Sequence, residues 1–218
     1  MRARRRDARA VVTWALAYRR PLRRLVVRRG PFRAAPVAVG FLTLCLLVSL
    51  AWHVPGAGHR LVAACCAYQG WRPSPGGAVR LVAGAFLLRA WYEVVWTIAA
   101  TVLVTAPFEA WMGSGRMLTT ITLGQVVPTI AVAASLALAH WPWDGGLDVG
   151  SSAVIVAATA GLAIRGRSLP LAACLLFAQL VALLVQSPLT TAEHLLAILV
   201  GALATMALST SRRAGGDV

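Results

Sequence analysis

Two adjacent serines, a histidine and a glutamate are the residues of this sequence whose types and positions could carry out chemistry. Ser151 and Ser152 begin an apolar stretch of the chain, and His194 begins a later one. A serine hydroxyl is a weak nucleophile until a neighbouring imidazole takes its proton, and such a pair then supports acyl transfer. Glu93 lies at the start of a third apolar stretch. A carboxylate there could orient the histidine, as the third member of a catalytic triad does.

The composition predicts that these residues lie in a membrane protein. The chain is 59% hydrophobic and only 13% charged, and its mean hydropathy is +0.73, which is far outside the range of soluble domains. The four cysteines lack the paired spacing typical of metal sites, so we expect structural thiols, no metal and no cofactor. These cysteines are Cys45, Cys65, Cys66 and Cys174.

The apolar segments predict the fold class. Crossing the hydrocarbon core of a bilayer takes about 20 mostly apolar residues in a helix. Six segments within residues 35–209 qualify, although the fourth is short, and a long outer loop at 55–89 separates the first two. We therefore predict an all-α, polytopic membrane protein built as a six-transmembrane-helix bundle. The predicted spans are 35–54, 90–112, 117–140, 150–164, 168–186 and 191–208.

The positive charge is concentrated before the first span and predicts the topology. Residues 1–33 hold twelve arginines and one acid, Asp7. Because cytoplasmic segments carry an excess of arginine, the arm 1–34 and the tail 210–218 are predicted to lie in the cytoplasm, in a multi-pass protein of the plasma membrane. The arm also suits the anionic headgroups of membrane lipids. Nucleic acid would attract the same charges, but a segment tethered beside a span favours lipid, so we expect no nucleic-acid partner.

The predicted topology brings the reactive residues to one depth. Spans two, four and six all enter from the outer side, so Glu93, the serine pair and His194 share a layer. Ionisable groups inside a membrane usually face the interior of the bundle or a watery cavity. Ser151 is expected to serve as a cap or loop partner, which leaves Ser152 as the nucleophile.

Local signals refine the positions of the fourth and sixth helices. Asp148 is a candidate N-cap of the fourth helix, and Thr190 with Glu193 fits a capping box that would start the sixth helix at Thr190. Ser152 and His194 would then both lie in first turns. The fifteen residues of the fourth span rise about 22 Å, against about 30 Å of hydrocarbon, so its outer end should lie below the membrane surface.

Small residues predict that these two helices approach closely. Ala153, Ala157 and Gly161 form a stripe on the fourth span, and Ala197 and Gly201 continue the face of His194 on the sixth. Small side chains let helix backbones approach each other in membranes. A serine could then reach an imidazole.

At this point the residues resemble the rhomboid family of intramembrane serine proteases. The family has six core helices, a Gly-x-Ser-Gly serine that opens the fourth, and a His-x-x-Gly-x-x-x-Gly histidine in the sixth. Here 150–153 reads Gly-Ser-Ser-Ala, and 194–201 begins with His and ends with Gly, with Ala for the first glycine of that motif. Glu109 and Gly113 are similar to the family's Glu-x-x-x-Gly-Ser motif before the third helix, and Arg80 falls at its first-loop arginine. The resemblance covers roughly residues 79–205 and implies that Ser152 and His194 form a catalytic dyad.

The second helix departs from the family pattern. Its His-x-x-x-Asn pair, which helps to bind the oxyanion, is replaced by Glu93 and Thr97. A carboxylate repels developing negative charge unless it is protonated. Glu93 could therefore act as a neutral donor, orient His194, or pair with Arg89 or Arg80.

Three functions stay open at this point. The first is a protease that cleaves transmembrane substrates with Ser152 and His194, using the backbone N–H of Ser152 and the Thr97 hydroxyl, beside Gly150, for the oxyanion. The second is an inactive rhomboid-like protein that binds transmembrane helices of client proteins. The third is a transporter or channel, for which the mid-span amides Gln125 and Gln179 would be the only hint, and such amides commonly serve as packing contacts.

Overall fold

A computed structural model describes residues 31–66, 80, 82–138, 150–185 and 188–214. This part of the chain is helical and contains no β-strand. The helices are α1 (Pro31–Ala34), α2 (Pro36–His53), α3 (Ala57–Cys66), α4 (Trp91–Ala100), a π-helical turn (Thr101–Thr105), α5 (Ala106–Met112), α6 (Ser114–Leu138), α7 (Ser152–Gly166), α8 (Leu169–Val185) and α9 (Pro188–Ala214).

Four stretches of helix are long and apolar enough to cross a membrane. Because the described residues contain helices and no β-strand, the all-α prediction is confirmed for them. Long apolar helices of this kind are typical of a membrane protein. Helices α7 and α8 are apolar but shorter, so the count of six spans stays a prediction. The four long stretches are Pro36–His53, Trp91–Met112, Ser114–Ser135 and Leu189–Ser209.

The helix starts depart from the sequence prediction by three residues at two of the six predicted spans, and by one or two residues at the others. Helix α6 begins directly after Gly113, three residues before the predicted start of the third span. Helix α9 begins at Pro188, so the prediction that it starts at Thr190 is wrong. Proline is favoured in the first turn of a helix because its missing N–H has no partner to lose there. The consequence is that His194 lies in the second turn of α9 and not in the first.

Contacts between helices fix their directions. Gly161 lies against Thr205, and four residues earlier on both helices Ala157 lies against Gly201, so α7 and α9 run parallel. Thr97 of α4 contacts Ser151, just before α7, and Phe108 of α5 contacts Gly161, so the α4–α5 unit runs in the same direction. The second, fourth and sixth predicted segments therefore begin at one end of the bundle.

Helix α7 lies at the centre of the bundle. Its side chains from Ala153 to Ala163 are all buried, and they pack on α6, α8, α9 and the α4–α5 unit. The side chains of this helix are mostly small, which lets the neighbours approach. A Cβ atom added to Gly201 would lie 2.3 Å from the backbone oxygen of Ala157, and one added to Gly124 of α6 would lie 2.3 Å from the Ala157 Cβ.

The π-helical turn before α5 has an identifiable cause in the sequence. Pro107 lacks an N–H, and in a regular α-helix its ring would clash with the carbonyl of Leu103. The backbone widens instead, and the N–H of Ala106 bonds to the carbonyl of Thr101, five residues earlier. Single π turns of this kind are often retained where a side chain must be redirected. Here Phe108 is fully buried and its ring lies against Gly161.

A partly open cavity of about 230 Å³ lies between α2 and α6. Gly40 and Phe41 line it from α2, Gln125 from α6, and Phe86 from the segment before α4. The space beside Gly40 is open, because a Cβ atom added there would meet nothing within 4 Å. Close packing therefore extends around α7 but not along this face of α2.

Candidate functional site

The serine pair lies where α7 begins. Ser152 is the first residue of the helix and is partly buried, and Ser151 is its N-cap residue and is buried. Gly150, directly before them, has a φ of +125°, which only glycine adopts readily. Its N–H donates to the carbonyl of Gly84 at 2.9 Å. The start of α7 is thus tied to the segment that precedes α4. Asp148, the predicted N-cap, lies outside the described residues.

The Ser151 hydroxyl contacts the predicted oxyanion residue. Its Oγ is 2.7 Å from Oγ1 of Thr97, and both residues are buried. The helix start receives no side-chain cap from Ser151, and the hydroxyl bonds instead to a residue of α4. One of the two hydroxyls donates this hydrogen bond and the other accepts it, so the Thr97 side chain is held against Ser151.

His194 lies inside the bundle on α9. Its exposed fraction is 4%, and its Nδ1 atom is 3.0 Å from Oε1 of Gln179 on α8. Gln179 is itself buried, with an exposed fraction of 7%. The contact between Ser152 and His194 on which a dyad depends stays a prediction. The ring contact that the structure gives is to the glutamine.

The parallel pairing of α7 and α9 sets the relative depth of the serine and the histidine. With Ala157 opposite Gly201, Ser152 lies five residues towards the start of its helix and His194 lies seven. At 1.5 Å per residue the two positions differ in depth by about 3 Å. Both residues therefore lie near the same end of adjacent helices.

Glu93 stabilises the start of α4. Its Oε2 atom accepts the N–H of Arg89 at 2.7 Å and, more weakly, the N–H of Ala90 at 3.5 Å. A carboxylate at the third helical position of a capping box has this role in many helices. The contact is with the backbone of Arg89, so the predicted pairing of the carboxylate with an arginine side chain is not what this bond provides. Arg80 is exposed and lies before the segment 82–90 that leads into α4.

Glu109 and Gly113 form a structural joint at the opposite end of the bundle. The buried Glu109 carboxylate accepts the N–H of Val37 at 3.0 Å, the N–H of Ala38 at 2.7 Å and the Ser114 hydroxyl at 2.6 Å. Gly113 has a φ of +89° and separates α5 from α6. The carboxylate therefore caps α2 and holds the turn between α5 and α6, so this part of the motif has a structural role.

Sequence reasoning missed a buried polar group beside His194. The sequence predicts only a helix-cap role for Glu193, whereas its Oε1 accepts a hydrogen bond from the hydroxyl of Thr129 on α6. Gln125 joins the same cluster, with its Nε2 atom 3.4 Å from the Thr129 oxygen. The available signal was the spacing of four between Gln125 and Thr129, which puts both on one helix face.

Metal ligands do not gather in the part of the chain that the structure describes. Over these ranges, no three His, Cys, Asp or Glu side chains come close enough together to hold a metal ion. Among the described residues, the polar side chains near the start of α7 and α9 include hydroxyls, the Gln179 amide, the His194 imidazole and the Glu193 carboxyl group.

Comparison of the whole chain with protein-family models, with curated proteins and with solved structures finds no match.

Proposed function

We propose that the protein is a rhomboid-like integral membrane protein with six spans and with both termini in the cytoplasm, and that it acts as an intramembrane serine endopeptidase. The shortness of α7 does not argue against a span. Its side chains are enclosed by other helices along most of its length, so it need not match the thickness of the bilayer itself. The arginine-rich arm would bind anionic headgroups on the cytoplasmic side.

In this proposal Ser152 is the nucleophile and His194 is the general base. The Ser152 oxygen attacks the scissile carbonyl of a membrane-spanning substrate while the imidazole takes the hydroxyl proton and then gives it to the leaving amine. Water, activated by the same imidazole, hydrolyses the acyl-enzyme. The backbone N–H of Ser152 and the Thr97 hydroxyl would stabilise the oxyanion. This requires the Thr97 oxygen to accept the bond from Ser151 while the Thr97 hydrogen is donated to the substrate.

One observation carries the proposal. Helices α7 and α9 run parallel and in close backbone contact, at Ala157 and Gly201. That pairing is what a serine and a histidine on these two helices need in order to reach each other with short side chains. The burial of His194 supports it further, because the imidazole lies inside the bundle, where a neighbouring helix can present a hydroxyl to it.

A second candidate function is supported by the second helix. Glu93 is used to stabilise the start of α4 and the Thr97 hydroxyl bonds to Ser151, so neither side chain serves only to bind an oxyanion. A protein with this arrangement and no turnover would bind transmembrane helices of client proteins in the same place. The two functions differ in whether the Ser152 hydroxyl is activated.

Labelling with a fluorophosphonate separates the two functions, because this probe reacts with an activated serine. We expect detergent-purified wild type to be labelled, and labelling to be lost in both Ser152→Ala and His194→Ala. Ser151→Ala is the matched control, since it removes the adjacent hydroxyl and should still be labelled. Wild type that is folded but not labelled would exclude the protease in favour of client binding. Label retained in Ser152→Ala and lost in Ser151→Ala would show that the nucleophile had been assigned to the wrong serine.

A further inference from the structure

The contact between His194 and Gln179 defines which ring nitrogen carries a hydrogen. Nδ1 lies 3.0 Å from Oε1 of the glutamine. With the amide in this orientation its oxygen faces the ring and only accepts hydrogen bonds, so Nδ1 is the donor. In a neutral imidazole the other nitrogen, Nε2, then carries the lone pair. This is the tautomer in which Nε2 can take a proton from a hydroxyl.

We propose that Gln179 is a positioning residue that holds His194 in the Nδ1–H tautomer and fixes the orientation of its ring. The role is that of the buried acidic residue in serine hydrolase triads, which keeps the base in its productive tautomer. The amide does this without a charge, so it orients the ring but stabilises an imidazolium less than a carboxylate would. The catalytic consequence rests on the proposed function, whereas the tautomer does not.

The position of Gln179 in α8 supports a specific role. Leu176, Phe177 and Leu180 around it are exposed on the outside of the bundle, whereas Gln179 is buried. Burying an amide in an apolar environment costs free energy unless it finds a hydrogen-bond partner. The amide is therefore turned inwards onto the one imidazole that α9 presents to it.

The test is the tautomer of His194, read by ¹⁵N NMR of protein labelled with ¹⁵N-histidine. The chain has four histidines, and the His194 signals are identified by their loss in His194→Ala. We expect the Nδ1–H form in wild type and a shift to the Nε2–H form in Gln179→Leu. Gln179→Glu, which still offers an acceptor to Nδ1, should restore the Nδ1–H form. Gln125→Leu is the matched control, because it removes a buried amide that does not contact His194, and it should leave the tautomer unchanged.

The outcomes separate this inference from the proposed protease. A wild type in the Nε2–H form, or a Gln179→Leu variant that keeps the Nδ1–H form, overturns the role of Gln179 whatever the labelling shows. The expected tautomers with an unlabelled wild type uphold the role of Gln179 and refute the protease. If wild type is labelled, Gln179→Leu should slow labelling by about 10²-fold, which lies within the range that general-base catalysis contributes. Gln179→Glu should recover most of that rate.

Discussion

The close contact between α7 and α9 gives a prediction with a built-in comparison. Gly201 of α9 and Gly40 of α2 are both helical glycines, so replacing either by alanine removes the same backbone penalty, about 1 kcal/mol. Their surroundings are opposite. A Cβ atom at Gly40 meets nothing within 4 Å, whereas one at Gly201 meets Ala157 backbone atoms at 2.3, 2.7 and 2.8 Å.

The magnitude follows from these distances. An ordinary contact between a carbon and a carbonyl oxygen is about 3.3–3.6 Å, so α7 and α9 must separate by about 1 Å to accept Gly201→Ala. Overpacking of this kind costs about 1–3 kcal/mol. Gly40→Ala should therefore stabilise the protein by up to about 1 kcal/mol, and Gly201→Ala should be less stable than Gly40→Ala by about 1–3 kcal/mol.

Thermal unfolding in detergent measures the difference. For a chain of this size each kcal/mol corresponds to roughly 2–4 °C, so the two variants should differ in Tm by roughly 2–12 °C. Wild type in the same detergent is the reference for both. Equal Tm values, or a higher Tm for Gly201→Ala, would mean that α7 and α9 are not in backbone contact. The close parallel pairing of α7 and α9, on which the proposed dyad depends, would then be wrong.

Two further predictions concern buried polar contacts. Thr97→Val leaves the Ser151 hydroxyl buried without its partner and should lower the free energy of unfolding by about 1–3 kcal/mol. Adding Ser151→Ala should recover part of this loss. Additive losses in the double-mutant cycle would show that the two hydroxyls do not interact. Glu109→Ala removes the acceptor of two backbone N–H groups at the start of α2. It should lower the free energy of unfolding by at least about 2 kcal/mol, measured by the same unfolding assay. A loss no larger than that of a substitution at an exposed position would refute the capping role of Glu109.

Most of the helical architecture could be predicted from the sequence, because long apolar runs have few alternatives in a membrane. The ends of the helices were less predictable. The pattern Thr190-x-x-Glu193 fits a capping box equally well whether Glu193 reaches back to its own helix or outwards to α6. The sequence does not reveal that the helix starts at Pro188 or that Thr129 on another helix contacts Glu193.

The candidate site was predictable in its depth and not in its contacts. The small residues Ala157, Gly161 and Gly201 indicated a close approach of two helices, and the structure contains that approach. Partners that lie on different helices leave no periodic signal in the sequence. For this reason the sequence predicts only a packing role for Gln179. Its bond to His194 depends on the rotation of α8 about its own axis.

Several polar contacts between helices lie at the end of the bundle where α4, α7 and α9 begin. Thr97 bonds to Ser151 there, Gln179 bonds to His194, and Glu193 bonds to α6. In a membrane the hydrophobic effect does not select one helix register over another, so small-residue contacts and interhelical hydrogen bonds must do so. The groups that a hydrolase would use are therefore also groups that align the helices. Loss of activity in a variant of Thr97 or Gln179 cannot by itself distinguish a broken reaction from a shifted helix. A tautomer or a double-mutant cycle can, because each reports on one contact and not on the whole bundle.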